Sequence, residues 1–398
     1  MTTESTPKVG AEHDDKDLPL VGRLVSSLWV IFLLTTLLVG VLLRLILAGE
    51  MAIDVLKTPF AYWRHAHSHL GYYGVLFPLL FYAWRRRGGK GISQRTMALY
   101  MASALLAFVG FARSGYALLS IVGSTVIGAL WLVQSIRQRM FFQMIRHRTS
   151  SPLTTVPIAL FIACCFVPPI ALFTRRDPYF AGQLVHTFLG VLLITVAAPT
   201  VLSTLNMRRL PWHLSSWGSF SFGLMAALYF GVMPSAWLGL PVVALGVVWL
   251  AQLLVSAECM GCVDEFETEG ARNSAAQSGR SDVKVAFVLA ALGMIAQGFM
   301  SVPMLPMRSI AGIHFLILGP LLMGLVRERW PTLPFALSWT WLLSVGVLSS
   351  SLWTATYAFA ASWMMQLQAL SAVAGIALMS LVIVAWLWLQ KSKAAEKG

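Results

Sequence analysis

Long apolar stretches alternate with short polar segments along almost the whole chain. The first runs from 24 to 47 and exceeds the roughly 20 residues that a helix needs to cross a bilayer. Eleven further stretches follow at 63–84, 95–112, 115–136, 152–173, 180–205, 214–233, 235–256, 283–303, 309–326, 334–358 and 368–389. The third is the shortest, because Arg113 interrupts the run between it and the fourth. The pattern predicts an all-α integral membrane protein with about twelve transmembrane helices.

Composition agrees with this pattern. Of the 398 residues, 58% are hydrophobic and 11% are charged, whereas a soluble globular protein has about 25% charged residues. The mean hydropathy is +0.74. These values exclude a water-soluble domain and a disordered chain. Four cysteines in two clusters are too few for a disulfide scaffold.

The distribution of basic residues predicts the orientation. With the N-terminus in the cytoplasm, 22 of the 29 Lys and Arg residues fall in cytoplasmic segments. Six fall in outer loops, and Arg44 lies inside the first span. Cytoplasmic loops of membrane proteins are enriched in Lys and Arg. The asymmetry therefore predicts twelve spans with both termini in the cytoplasm, and it explains the net charge of +13 without a nucleic-acid partner.

The polar segments define the domain organisation. Residues 1–22 lack the basic start and apolar run of a signal peptide and are interpreted as a cytoplasmic tail. Residues 23–390 form the membrane domain, with a cytoplasmic loop at 257–282, and 391–398 form a second tail. Cys259 and Cys262 make a lone C-x-x-C in that loop, and their role is left open. No soluble catalytic domain is predicted.

Five of the eight histidines are predicted to lie in the outer part of the membrane. They stand near the starts of spans two, six and ten, each of which begins at the outer face: His65, His67, His69, His186 and His314. Ionisable groups inside a bilayer are costly and usually functional. Imidazole is a general ligand of iron, copper and zinc. We therefore expect these side chains to bind a metal or a haem.

Helical spacing divides the histidines of span two. At 100° per residue, His65 and His69 share a face and His67 projects to nearly the opposite side. One helix could thus serve two sites. Gly71 and Gly190 each follow a histidine by four residues, and Gly319 follows His314 by five. Glycine would leave room for a flat macrocycle, or it would only let helices pack closely.

The histidine segments resemble those of a known family. The run 65–74, HAHSHLGYYG, resembles the motif at the start of helix two in NnrS proteins, and 184–190 and 312–315 look like that family's other histidine helices. NnrS proteins are twelve-span bacterial haem- and copper-containing membrane proteins linked to nitric oxide stress. The layout is also similar to the catalytic subunit of haem–copper oxidases, whose metal-binding histidines lie toward the outer side on helices two, six, seven and ten. The candidate ligands here stand on spans two, six and ten, at four-helix intervals.

The resemblance implies a haem, with copper as a second metal, in a multi-pass protein of the bacterial inner membrane. We expect His67 and His314 to be haem ligands and Arg64 and Arg308 to pair with the haem carboxylates. The further metal ligands would be His65, His69 and His186. The implied partners are membrane lipid, a diatomic ligand such as nitric oxide and an electron donor of unknown identity.

The chain also departs from these families. Ser68 stands where NnrS proteins usually have Glu, span seven has no His-His pair, and span ten has His314 alone. An oxidase-type copper centre would lack two ligands, so proton-pumping oxygen reduction is not expected. Whether the protein is an enzyme, such as an oxidoreductase, is left open. The alternatives are a twelve-helix transporter for a metal ion or small solute that uses the same histidines, and a scaffold subunit.

Overall fold

The computed structural model is built from helices. It describes residues 20–86, 92–137, 152–205, 217–231, 236–258, 281–299, 306–330, 333–355, 358 and 360–395. We number the helices in chain order: α1 (Leu20–Leu47), α2 (Phe60–His69, Leu70–Leu76 and Phe77–Arg86), α3 (Gln94–Ser114), α4 (Leu118–Arg137), α5 (Val156–Arg176), α6 (Pro178–Gly190, Val191–Ala197 and Ala198–Thr204), α7 (Ser219–Gly231), α8 (Ala236–Glu258), α9 (Ser281–Phe299), α10 (Pro306–Leu316, Ile317–Leu321 and Leu322–Arg329), α11 (Phe335–Ala355) and α12 (Ala361–Ala395).

The protein is an all-α membrane protein. In the described part of the chain, eight helices are long and apolar enough to cross a membrane: α1, α3, α4, α5, α6, α10, α11 and α12. Shorter apolar segments lie in α7 and α8. Large apolar side chains on the outer helices are exposed, such as Leu118 (76%) and Leu343 (69%). A surface of this kind is suited to contact with lipid.

A helix lies at each of the twelve predicted apolar stretches, with ends that differ by up to seven residues. The third stretch, which is the shortest of the twelve, forms a continuous helix, α3. Its N-terminus is capped by Ser93, whose hydroxyl accepts from the Thr96 N–H at 3.1 Å. It ends at Gly115, which has a φ of +63°. That left-handed conformation favours glycine and explains the turn into α4.

Three helices form the interior. In the most apolar 18-residue stretch of α6, 78% of the residues are buried, and in that of α10, 61%. The corresponding share in each of the other six long helices is 44% or less. The C-terminal halves of α2, α6 and α10 contact one another. The Trp84 indole N–H of α2 donates to Thr200 Oγ1 of α6 at 2.9 Å. The guanidinium of Arg329 in α10 lies 4.5 Å from the ring centre of Tyr82 in α2.

The remaining helices surround this centre in a repeated arrangement. The chain divides into three units of four helices, α1–α4, α5–α8 and α9–α12, and the second helix of each unit is an interior helix. Within every unit the third helix packs against the fourth, and the first helix packs against the fourth helix of another unit. The four-helix interval predicted from the histidines is thus visible in the packing.

Each interior helix contains a π-helical segment: Leu70–Leu76, Val191–Ala197 and Ile317–Leu321. A π segment shifts the hydrogen-bond register, and such segments occur frequently at functional sites. In α10 the Trp341 indole N–H donates to the Leu318 carbonyl at 2.8 Å. α10 continues through Pro320, and α5 continues through Pro168 and Pro169.

Several predictions concern residues outside the described part of the chain. These are residues 1–19 of the N-terminal tail, 396–398 of the C-terminal tail, and 259–280 of the loop, which include Cys259 and Cys262. At the C-terminal boundary, α12 continues to Ala395, five residues into the predicted tail 391–398. At the N-terminal boundary, α1 begins at Leu20, slightly before the predicted end of the tail.

Candidate functional site

The five predicted histidines lie at matching positions on the three interior helices. α6 and α10 each begin at a proline, and α2 begins directly after Pro59. His67 is seven residues beyond the start of α2, and His186 and His314 are eight residues beyond the starts of α6 and α10. In each helix the π segment follows within five residues. The histidines therefore occupy one level of the molecule.

His67 and His314 form a pair between α2 and α10. Their ring centres are 6.2 Å apart, and their planes differ by only 14°. Metal–imidazole bonds are about 2 Å long, so two imidazoles on opposite sides of one metal ion have ring centres roughly 6 Å apart. The spacing of the pair matches this value. The two residues predicted as haem ligands are thus brought together by the fold.

The orientation of His67 is fixed by α1. His67 Nδ1 lies 2.8 Å from the Thr36 carbonyl oxygen. A carbonyl oxygen only accepts, so Nδ1 donates and carries the ring proton, which leaves the lone pair of the neutral ring on Nε2. A hydrogen bond of this kind to the non-ligating nitrogen is typical of metal-bound histidine.

Two further residues of α1, Gly40 and Arg44, lie near His67. A Cβ on Gly40 would lie 2.9 Å from His67 Cε1, so only glycine leaves room for the imidazole. Arg44, one turn further, lies close enough to His67 to act on its charge. Arg44 Nη1 donates to Gln368 Oε1 of α12 at 3.3 Å, and the described residues give it no carboxylate partner. Among the described residues, the pair therefore lies beside a positive charge that no carboxylate neutralises.

These observations fit a haem between His67 and His314. The spacing and nearly parallel planes suit two imidazoles that would hold one iron, and the Thr36 contact leaves Nε2 of His67 available as a ligand. The guanidinium of Arg44 would pair with a carboxylate of the haem. A haem held by these two imidazoles would need no third histidine.

The other two histidines of α2 lie on its opposite face, as helical spacing predicts. The ring centres of His65 and His69 are 6.4 Å apart. Tyr116, directly after the turn at Gly115, has its ring centre 4.9 Å from His65 and 5.9 Å from His69. The ring of Phe111 stacks on His69 at 3.9 Å. This face of α2 thus packs against α3 and the turn that follows it.

His186 of α6 belongs with this second group. It lies close enough to His65 to act on its charge. Its Nδ1 is buried and has no hydrogen-bond partner within the described part of the chain. The imidazoles divide into a pair, His67 and His314, and a separate group, His65, His69 and His186. No three His, Cys, Asp or Glu side chains come together in metal-binding geometry within the described residues.

Of the two arginines predicted to pair with haem carboxylates, the structure describes the side chain of Arg64 alone. Arg64 is exposed, and its charge acts on His65, His186 and Tyr116. The side chain of Arg308 lies outside the described part of the chain. Arg44 is the described arginine whose charge reaches His67. The sequence already places Arg44 inside the first apolar stretch, and a charged residue inside a predicted span could have been singled out as a candidate functional residue.

The three glycines singled out by spacing have different surroundings. A Cβ on Gly190 would lie 3.0 Å from Cα and Cβ of Ala227, so Gly190 allows close packing of α6 on α7. A Cβ on Gly71 would touch the Thr36 methyl at 3.4 Å, and one on Gly319 would meet nothing closer than 3.8 Å. Gly40, which sequence reasoning missed, is the glycine that adjoins a candidate ligand.

Comparison with known proteins gives no family assignment. No protein-family model matches the chain, and no curated protein matches it in sequence.

Proposed function

We propose that this chain is a twelve-span protein of the bacterial inner membrane, with both termini in the cytoplasm, that binds a haem near the outer face. The resemblance of its histidine segments to NnrS proteins supports a role in nitric oxide or metal stress. One observation carries the haem assignment. It is the parallel pair of His67 and His314, with ring centres 6.2 Å apart, of which His67 is oriented by the Thr36 carbonyl.

Bound haem would supply a redox-active iron at this place. His67 and His314 would hold it, Gly40 would keep space for the His67 ring, and Arg44 would neutralise a carboxylate of the group. With His67 and His314 both holding the iron, the chemistry that the group would supply is electron transfer between a donor and a further site. A diatomic ligand such as nitric oxide would bind at that further site.

The test is an absorption spectrum of the detergent-purified protein from haem-replete cells, oxidised and dithionite-reduced, with iron quantified on the same sample. We expect a Soret band, the reduced spectrum of a six-coordinate haem, and one iron per chain. His67→Ala and His314→Ala should each remove most of the Soret absorbance. His65→Gln is the matched control, since it changes the same helix on its opposite face and should keep the band.

A colourless, iron-free protein would overturn the haem proposal. If that protein carried copper or zinc, the transporter that the sequence leaves as an alternative would replace it. Equal haem content in His67→Ala, His314→Ala and the native chain would show that the pair does not hold the group.

A further inference from the structure

One face of α2 carries aromatic rings along most of its length. Five side chains stand three or four residues apart on it: His69, Tyr73, Phe77, Phe81 and Trp84. The ring centres of His69 and Tyr73 are 5.2 Å apart, those of Phe77 and Phe81 are 6.0 Å apart, and those of Phe81 and Trp84 are 5.5 Å apart. Residues 69–84 extend along about 22 Å of helix. The rings therefore connect the level of the histidines with the C-terminal end of α2.

Two rings from the neighbouring helices complete this row. The ring centre of Trp131 in α4 lies 5.6 Å from that of Tyr73 and 3.9 Å from that of Phe77. The ring centre of Tyr100 in α3 lies 5.3 Å from that of Phe81. The Trp131 indole N–H donates to the Tyr100 hydroxyl at 3.1 Å. The row is thus continuous across α2, α3 and α4.

Tyr116 extends the row at the end where the histidines lie. Its ring centre is 5.9 Å from that of His69. Tyr116 follows Gly115, whose positive φ turns the chain between α3 and α4. The ring of Tyr62 packs against that glycine, where a Cβ would lie 2.6 Å from Tyr62 Cε1. The turn is therefore held against α2 and keeps the Tyr116 ring in the row.

The tyrosines and tryptophans of this row are costly choices for a buried position. Four of them are 4% exposed or less: Tyr73, Trp84, Tyr100 and Trp131. Each brings a polar group into an apolar interior, where an unmade hydrogen bond costs about 1–3 kcal/mol. The buried Tyr116 hydroxyl has no partner among the described residues. Phe77, which is fully buried in the same row, shows that phenylalanine packs there without this cost.

Packing alone therefore does not account for these residue types. Phenol and indole rings differ from the phenyl ring in a second property, because they give up an electron much more readily. A buried row of such rings in contact is suited to passing single electrons from one ring to the next.

We propose that this row is an electron path through the protein, with five oxidisable members: Tyr116, Tyr73, Trp131, Tyr100 and Trp84. A one-electron oxidant at the outer face takes an electron from the Tyr116 phenol, whose proton passes to a neighbouring imidazole. Each ring is then reduced by the next one, Tyr116 regains its proton, and Trp84 is left one electron short. A thiol on the cytoplasmic side returns that electron and releases one proton.

The oxidant is assigned by its chemistry. Nitrogen dioxide, which forms when nitric oxide meets oxygen, takes one electron and leaves as nitrite. Only this choice rests on the proposed function, because the path itself needs neither haem nor nitric oxide. Such a path would draw oxidising equivalents away from the imidazoles that it adjoins, His65 and His69.

The test places a photo-oxidant at the Tyr116 end of the path in the full-length protein. Leu118, two residues after Tyr116, is 76% exposed. Leu118→Cys carries a ruthenium polypyridyl label in a chain whose native cysteines are replaced by alanine. A laser flash with an external electron acceptor produces Ru(III), and the frozen sample is analysed by electron paramagnetic resonance. Ring-deuterated tryptophan separates tryptophanyl from tyrosyl radicals, and we expect both, with the tryptophanyl signal smaller in Trp84→Phe.

Two substitutions interrupt the row while keeping an aromatic ring in place. Trp131→Phe should keep the tyrosyl signal and lose the tryptophanyl signal of Trp84. Tyr116→Phe removes a single oxygen and should lose both signals. Trp249→Phe is the matched control, because Trp249 is also fully buried but lies in α8 against Phe287, outside the row. It should leave both signals unchanged.

Equal radical signals in the native chain, Trp131→Phe and Trp84→Phe would overturn the inference. The ruthenium label supplies the oxidant, so this outcome would leave the haem proposal intact. A colourless, iron-free protein that shows the expected losses would overturn the haem proposal alone.

Discussion

At the scale of the residue, the environment of His67 is set by a neighbouring helix. Thr36, Gly40 and Arg44 stand four residues apart on α1 and so share one face. The Thr36 carbonyl orients the ring, and Gly40 leaves space for it. None of these contacts involves a residue near His67 in the chain. The proposed ligand therefore depends on how closely α1 approaches α2.

We predict that Gly40→Ala lowers haem content without unfolding the protein. The added methyl would lie 2.9 Å from His67 Cε1, so the imidazole must move from its present position. Haem per chain is measured from the Soret absorbance of purified protein. Gly346→Ala is the matched control, because a Cβ at that position of α11 meets no atom within 4 Å. Native haem content in Gly40→Ala would contradict the argument.

At the scale of the element, a buried ion pair joins α9 to α10. Arg327 Nη2 and Nε donate to Asp282 Oδ2 at 2.8 and 3.1 Å, and the two side chains are 8% and 0% exposed. Asp282 Oδ1 also accepts from the Val283 N–H at 2.8 Å. Arg327 additionally donates to the Leu333 carbonyl. The pair thus fixes the C-terminal part of an interior helix.

We expect Asp282→Asn to lower the free energy of unfolding by about 3 kcal/mol, because it leaves a buried guanidinium without its counter-charge. Unfolding of the detergent-solubilised protein is followed by tryptophan fluorescence in a denaturant titration. Glu50→Gln, at an exposed carboxylate, should cause almost no change. Equal stability of the two variants would show that the ion pair does not stabilise the fold.

At the scale of the whole molecule, three four-helix units surround an interior of three helices. Equivalent packing in each unit places His67, His186 and His314 at matching positions. The arrangement is consistent with even-numbered helices that all start at one face. That face is the outer one if the basic residues mark the cytoplasmic side.

Reporter fusions test this orientation. We expect a green fluorescent protein fused after residue 398 to fluoresce, since it folds in the cytoplasm, and alkaline phosphatase at the same place to be inactive. Alkaline phosphatase fused after Glu50, between α1 and α2, should be active. The reverse pattern would place the histidines on the cytoplasmic side and contradict the proposed topology.

Much of this architecture could be predicted from the sequence, because the relevant information is local. A run of about 20 apolar residues specifies a membrane helix through its own length and hydropathy. For that reason the twelve stretches and the helices coincide, and even the short third stretch is a helix. Periodicity likewise placed His65 and His69 on one face and His67 on the other, as the ring distances confirm.

Contacts between distant segments could not be obtained in this way. Spacing pointed to Gly71, Gly190 and Gly319, whereas Gly40 is the described glycine beside a candidate ligand. Charge pointed to Arg64 and Arg308, whereas the described arginine that acts on the charge of His67 is Arg44; the side chain of Arg308 lies outside the described residues. Tyr116 gave no signal at all. Sequence alone determined the helices, their apolar character and the candidate ligands, because these follow from neighbouring residues. Only the tertiary structure decided which imidazoles pair and which side chains surround them, because those contacts depend on how helices far apart in the chain pack together.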